Sequence, residues 1–173
     1  MLASLMSSSL SSDPFGAGAN PLDRIELLAG DRDWAFNRAG EDAIAIHKRG
    51  AWMDYAIEFS WVEHFEALHV SSRYEMRVPE NRINETMRLL SLVNEQMLFG
   101  HFDLWLQDGT VVFRIAMPLT GGVEPGAEQI EFLVNTVLVS CERYYQALQH
   151  VAWAGQGAKE ALANVLFDTV GEA

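Results

Sequence analysis

The chain has 173 residues, 49% of them hydrophobic and 21% charged, which is enough for one well-covered core and short for two. Its net charge is −12, and of its 12 basic residues only Lys48 and Lys159 are lysines, which excludes the basic stripe of a nucleic-acid surface and disfavours an anionic membrane. A single cysteine, Cys141, cannot close an internal disulfide, and neither lysine nor arginine precedes Arg24 as a secretory front would require, so a cytoplasmic protein is expected.

Residues 1–19 are rich in serine, glycine and alanine without a sustained period, which predicts a flexible tail ahead of one domain over 20–173. Asn20 is a good N-cap, Pro21 suits the first helical position, and Leu22, Ile25 and Leu28 give the short helix that follows one apolar side, ended by Gly30. Residues 33–38, around Trp34 and Phe36, are a weak strand; residues 42–48, with Ala43 to Ile46, are a better one.

From Tyr55 the alternation sharpens. Tyr55, Ile57, Phe59 and Trp61 are large and apolar between polar Asp54, Glu58 and Ser60, and the next run puts Leu68, Val70, Tyr74 and Met76 on one face with His69, Ser71, Arg73 and Glu75 on the other. A turn at Glu63 and His64 sets Phe59 opposite Leu68 and Ile57 opposite Val70, and on the outer face Glu58 against His69 and Asp54 against Arg73.

Pro79 then opens a helix expected to reach about Phe99, with Ile83, Met87, Leu90, Val93 and Met97 as its stripe and Gly100 as its C′ residue. A hairpin over 101–117 follows, with Asp108-Gly109 read as a two-residue tip. That turn pairs Leu106 with Val111, Leu104 with Phe113 and Phe102 with Ile115 on one face, and Trp105 with Val112 and Asp103 with Arg114 on the other. After a glycine-rich loop, a second long helix over 127–153 repeats Ile130, Val134, Val137, Cys141, Tyr144 and Leu148, and a short helix over 158–167 carries Leu162, Val165 and Leu166. The order α-β-β-β-β-α-β-β-α-α predicts an α+β fold in which helices cover an antiparallel sheet.

From about residue 33 to the C-terminus the chain resembles the YbjN family, bacterial proteins described as putative sensory-transduction regulators. Three blocks carry the resemblance: Arg73-Tyr-Glu-Met-Arg-Val-Pro79; Leu92-Val-Asn-Glu95 running into Gly100-His-Phe-Asp-Leu-Trp105; and Glu160-Ala-Leu through Asp168-Thr-Val-Gly-Glu-Ala173. The family in turn resembles, in fold, the acidic class I chaperones of type III secretion, which implies a dimer holding extended client segments. It implies no catalytic residues.

The residues themselves point away from chemistry. Glu63, His64, Glu66 and His69 are close in sequence, but a hairpin sends Glu66 and His69 to opposite faces, so no metal is expected. Cys141 lies on an apolar helical stripe and reads as structural, the loop over 121–126 lacks the lysine and hydroxyl of a phosphate cradle, and Asp103 with Arg114 reads as a surface ion pair. The Asn84-Glu-Thr86 sequon is discounted without a secretory signal.

One candidate surface is left. Trp105 and Val112 face away from the Phe102, Leu104 and Leu106 side, Ala56 and Ala116 share their face, and Trp52 is expected at its border. The expected function is a non-enzymatic, cofactor-free protein-binding module, a homodimer presenting an apolar sheet face or groove to a polypeptide. The alternative is a small-molecule sensor with its ligand between sheet and helices near Tyr55, Tyr74 and Tyr144.

Overall fold

The computed structural model describes residues 20–168; the expected tail over 1–19 and the last five residues of the third family block lie outside them. The elements are α1 (Pro21–Asp31), β1 (Ala35–Ala39), β2 (Ala43–Arg49), β3 (Asp54–Val62), β4 (Ala67–Arg77), α2 (Ile83–Asn94), β5 (His101–Trp105), β6 (Thr110–Pro118), α3 (Ala127–Ala152) and α4 (Ala158–Asp168). The six strands form one antiparallel sheet in the order β1-β2-β3-β4-β6-β5, so the expected α+β architecture and element order are present.

The sheet has one apolar face. Ile44 and Ile46 of β2, Tyr55, Ile57 and Phe59 of β3, Leu68, Val70 and Tyr74 of β4, and Phe113 and Ile115 of β6 are all buried, and the ladder registers put them on one side. α1 lies on that side against β1, β2 and β3, and α3 against β3, β4 and β6; α2 packs on β5 and α3, and α4 on α2 and α3. The α3 stripe is as its spacing predicts, with Ile130, Val134, Val137, Cys141, Tyr144 and Leu148 buried.

Polar groups fasten the layers. Asn20 caps α1 by accepting the Leu22 amide at 3.0 Å. Arg82 donates to the carbonyl of Val151 in the last turn of α3, at 2.8 Å, and to that of Gln156 in the loop beyond it, at 2.7 Å. Glu85 accepts the Ala158 amide at 2.8 Å and so caps α4 from α2.

Both expected hairpin registers are wrong by two residues. Phe59 faces Val70, Ile57 faces Ser72 and Trp61 faces Leu68, because four residues, not two, connect the strands: a 3-10 turn over Glu63–Phe65 and Glu66 in the left-handed region. Ser60, not Glu58, therefore opposes His69, while Asp54 opposes Arg49 and Arg73 opposes Val112. In the second hairpin Trp105 pairs with Thr110, Leu104 with Val111, Phe102 with Phe113, Asp103 with Val112 and His101 with Arg114. Its tip spans four residues; the Gly109 amide bonds the Trp105 carbonyl at 2.8 Å, and Asp108 accepts from both the amide and the hydroxyl of Thr110. A shift of two preserves which residues share a face.

The first long helix is shorter than expected and turned on its axis. It stops at Asn94, whose side chain accepts the Phe102 amide at 2.8 Å and donates to the Phe102 carbonyl at 3.0 Å, tying the helix end to β5. Thr86, Leu89, Leu90 and Val93 face inward, and Met87 is exposed. Gly100, expected as a helix cap, instead immediately precedes β5 at φ +72°, where a Cβ would collide with the Phe113 ring and lie 2.9 Å from the Arg114 carbonyl oxygen. Gly121 has φ +82° with nothing within 4 Å of such a Cβ. Gly100→Ala should therefore lower the unfolding free energy by about 3 kcal/mol or more and Gly121→Ala by about 1 kcal/mol, read from urea midpoints. Equal losses would contradict the close approach at Phe113.

Candidate functional site

The other side of the sheet carries the residues between the buried ones. Ala45 and His47 come from β2, Ala56, Glu58 and Ser60 from β3, and His69, Ser71 and Arg73 from β4. Val112, Arg114 and Ala116 come from β6, with His101, Asp103 and Trp105 from β5. Among the described residues no helix covers this face: His47, Ala56, Arg73, His101, Trp105 and Ala116 are exposed.

The three residues singled out from the sequence do not form one patch. Trp105 is on the open face and 39% exposed, with the Arg73 guanidinium 4.8 Å from its ring centroid. Val112 is on the same face but 0% exposed, lying in the ladder between Arg73 and Asp103, so it is the floor of the site and not contact surface. Trp52 is on the opposite, helical side: it is in the loop between β2 and β3, 44% exposed, and stacks on Tyr145 of α3 at 5.9 Å. The face is accordingly polar around one tryptophan, in contrast to the apolar surface expected.

Its centre is a charged network. Arg114 donates to Asp103 at 2.8 Å and through Nε to His69 Nε2 at 3.1 Å, while His101 Nε2 lies 3.6 Å from Asp103. The guanidinium has no acceptor, so His69 must present a bare Nε2 and carry its proton on Nδ1. Burial first, and the neighbouring Arg114 charge second, hold the His69 pKa below its ordinary value. Arg73 forms no ion pair among the described residues. The hairpin pattern signals the Asp103–Arg114 pair, but no periodicity signals His69 beside it, because that contact needs β4 and β6 side by side and α2 and β5 separate them in sequence.

The sensor residues are in the core. The Tyr74 hydroxyl donates to the Cys141 carbonyl at 2.6 Å, and the Tyr144 ring packs edge-on to Phe102 at 5.9 Å. The buried Tyr55 hydroxyl lies towards Glu142, yet neither it nor Glu142 Oε1 finds a partner of hydrogen-bond geometry among the described residues; burial first, and Glu142 next, raise the Tyr55 pKa. Open grooves lie elsewhere among the described residues. One, of about 380 Å³, is lined by Phe99, Ile115, Met117, Pro118, Phe132 and Leu133; another, of about 590 Å³, lies beside the start of α4. Among the described residues no cluster of three or more His, Cys, Asp and Glu could hold a metal ion, and burial pushes the Cys141 thiol up to about 12.

The His69 geometry has a titration signature. A histidine pKa depressed by folding means that the unfolded chain takes up its proton first, so this contribution to stability is intact above about pH 6.5 and is lost as pH falls towards the folded value. In an NMR titration His69 should titrate below about 6.5, and Arg114→Met should raise its pKa by part of that gap, since burial persists. An unchanged His69 pKa in the variant would contradict the contact.

A family model, YbjN, described as a putative bacterial sensory transduction regulator, matches residues 21–150. Among solved structures the chain is similar to the crystal structure of YbjN, a putative transcription regulator from E. coli, with 14% identity and a TM-score of 0.52 over 70% of this chain and 85% of that one. No curated protein matches. At that identity the structural likeness speaks for the fold, and no helix among the described residues is long and apolar enough to cross a membrane. The family match begins at the first residue of α1, takes in all six strands and α2, and runs into the last turn of α3; this chain belongs to the YbjN family.

Proposed function

We propose that this chain is a non-enzymatic, cytoplasmic regulatory module, working as a homodimer, that binds a polypeptide partner across the open face of its sheet. The observation behind this reading is the end of that face near β5, where Trp105 stands exposed beside the Arg73 guanidinium, which has no ion pair among the described residues. Tryptophan and arginine are the residue types that most often dominate binding energy, and here they are held on rigid strands over a buried Val112. The matching partner segment brings an apolar side chain to the Trp105 ring and a carboxylate to Arg73. The family's description as a regulator agrees with a role exercised through a partner.

The second reading, a small-molecule sensor, is favoured by the orphaned Tyr55 hydroxyl and Glu142 Oε1, which a small donor could bridge. It ranks lower because the Tyr74 hydroxyl is already bonded and neither groove described above is lined by Tyr55, Tyr74 or Tyr144. It calls for a metabolite-induced thermal shift that Tyr55→Phe removes.

The test of the first reading places a photo-crosslinking amino acid at Ala116, exposed on the open face, and at Lys159 on α4 as the control. Irradiation of living cells should give discrete protein adducts from position 116 and none in common with position 159. Adding Trp105→Glu or Arg73→Glu should reduce those adducts about tenfold or more while leaving the circular dichroism unchanged. Adducts indifferent to both substitutions would defeat the reading.

A further inference from the structure

β5 is shorter than the strand it pairs with. It matches β6 only as far as the His101–Arg114 pair, while β4 continues beside β6 to Pro118. From Ile115 to Pro118, β6 therefore has β4 on one side and no strand on the other. Gly100 turns the chain out of line at φ +72°, and Asn94 already occupies the Phe102 backbone, so β5 itself is closed and the gap lies one strand further in.

Strand geometry fixes which groups face the gap, because successive residues send their amide and carbonyl alternately to the two sides. On β6 the odd positions point to β4: the Leu119 amide donates to the Glu66 carbonyl, in the β3–β4 connection, at 2.7 Å. Phe102 gives the same parity from the other side, since it turns both its groups out to Asn94 and exchanges none with Phe113 opposite. The Ala116 amide and carbonyl accordingly point into the gap, where no strand among the described residues meets them, and Ala116 is exposed. Pro118 occupies the next position of that parity, where its missing N–H costs the β4 ladder nothing.

The gap opens into the apolar groove of about 380 Å³ between β6 and the start of α3, walled by Phe99, Phe132 and Leu133. Met117 shares the covered-face parity of Phe113 and Ile115, so a strand laid along Ala116 turns the side chain opposite Met117 into that groove. Glu128 is exposed at the groove's rim and has no ion pair among the described residues. Unmet backbone groups, an apolar socket and an acidic rim together fit an extended segment that carries an apolar residue with a lysine or arginine close by. Residues 1–19 and 169–173 contain no lysine or arginine, so the chain's own ends lack that match.

We propose that β6 takes up an extended basic segment of another protein as an added strand beyond the end of β5. The segment's backbone bonds to Ala116, an apolar side chain enters the groove beside Phe132, and a lysine or arginine pairs with Glu128. Main-chain bonds supply the hold, while the groove and Glu128 select the sequence. Trp105 lies opposite Thr110 at the far end of β6 and takes no part, so this site is independent of the open-face reading.

Amide hydrogen exchange of the full chain, read by NMR, tests the gap itself: the Ala116 amide should exchange about tenfold or more faster than those of Ile115 and Met117, which face β4. Protection of Ala116 in the chain alone, whether by residues 1–19 or by a second copy, overturns the proposal. Selection of a displayed random heptapeptide library on the chain should enrich peptides with an apolar residue close to a lysine or arginine. A synthetic copy of an enriched peptide should slow Ala116 exchange about tenfold or more. Methylating its amides one at a time should weaken binding about tenfold at the amide that donates to Ala116, a readout that leaves the protein untouched. Ala116→Pro removes only the amide facing the gap and should match that loss, and Glu128→Lys should weaken binding about fivefold, while Trp105→Glu leaves it unchanged. A library that enriches no peptide, or a peptide that binds without protecting Ala116 or tolerates every methylation, overturns the added strand and leaves the open-face reading standing.

Discussion

The constraint on which this structure depends is that the large apolar residues of four central strands share one parity. Ile44 and Ile46, Ile57 and Phe59, Leu68 and Val70, and Phe113 and Ile115 fall on one side of the sheet. Each such side chain gains roughly 2 kcal/mol on burial, and a slip by one residue would exchange that gain for the burial of Glu58, His69 and Arg114, at several kcal/mol each. One side of the sheet can then be roofed by amphipathic helices. α1, α3 and, at β5, α2 do so directly, and α4 packs against α2 and α3.

The same constraint leaves the other side to polar residues, and these are organised. Asp103, Arg114 and His69 form a continuous hydrogen-bonded line across β5, β6 and β4. Both sheet edges are blunted by different means. At one edge Arg38 of β1 points inward to Asp23, at 3.0 Å, and Glu26, at 2.9 Å, of α1; at the other Asn94 occupies both the amide and the carbonyl of Phe102 on β5. A guarded edge resists strand addition by other chains.

Much of this architecture was legible in the sequence because it rests on local periodicity. The alternation in β3, β4 and β6 and the stripe of α3 are properties of neighbouring residues, and they set the two layers correctly. What failed depends on turn length or on distant contacts. Four-residue connections, made by a 3-10 turn ending at Glu66 and by the Asp108–Thr110 bonds, moved both registers by two while keeping every face. α2 stops at Asn94 because of a partner eight residues further on, which helix propensity cannot register. For the site, Trp105 was placed on the proper face, but Val112 lies wholly buried in the ladder between Arg73 of β4 and Asp103 of β5, and no sequence pattern brings β4 beside β6. Trp52 belongs to a loop whose path follows α3, where Gly50 allows the chain close against Tyr55 and Glu142.

Hydroxyl-radical footprinting of the intact chain, read residue by residue, distinguishes a sheet with one buried and one bare face from a sheet covered on both sides. His47, His101 and Trp105 should label rapidly, with Tyr55, Phe59, Tyr74 and Phe113 protected. Protection of His47, His101 and Trp105 to the level of Phe59 would mean that something covers the polar face and that the sheet has no bare side.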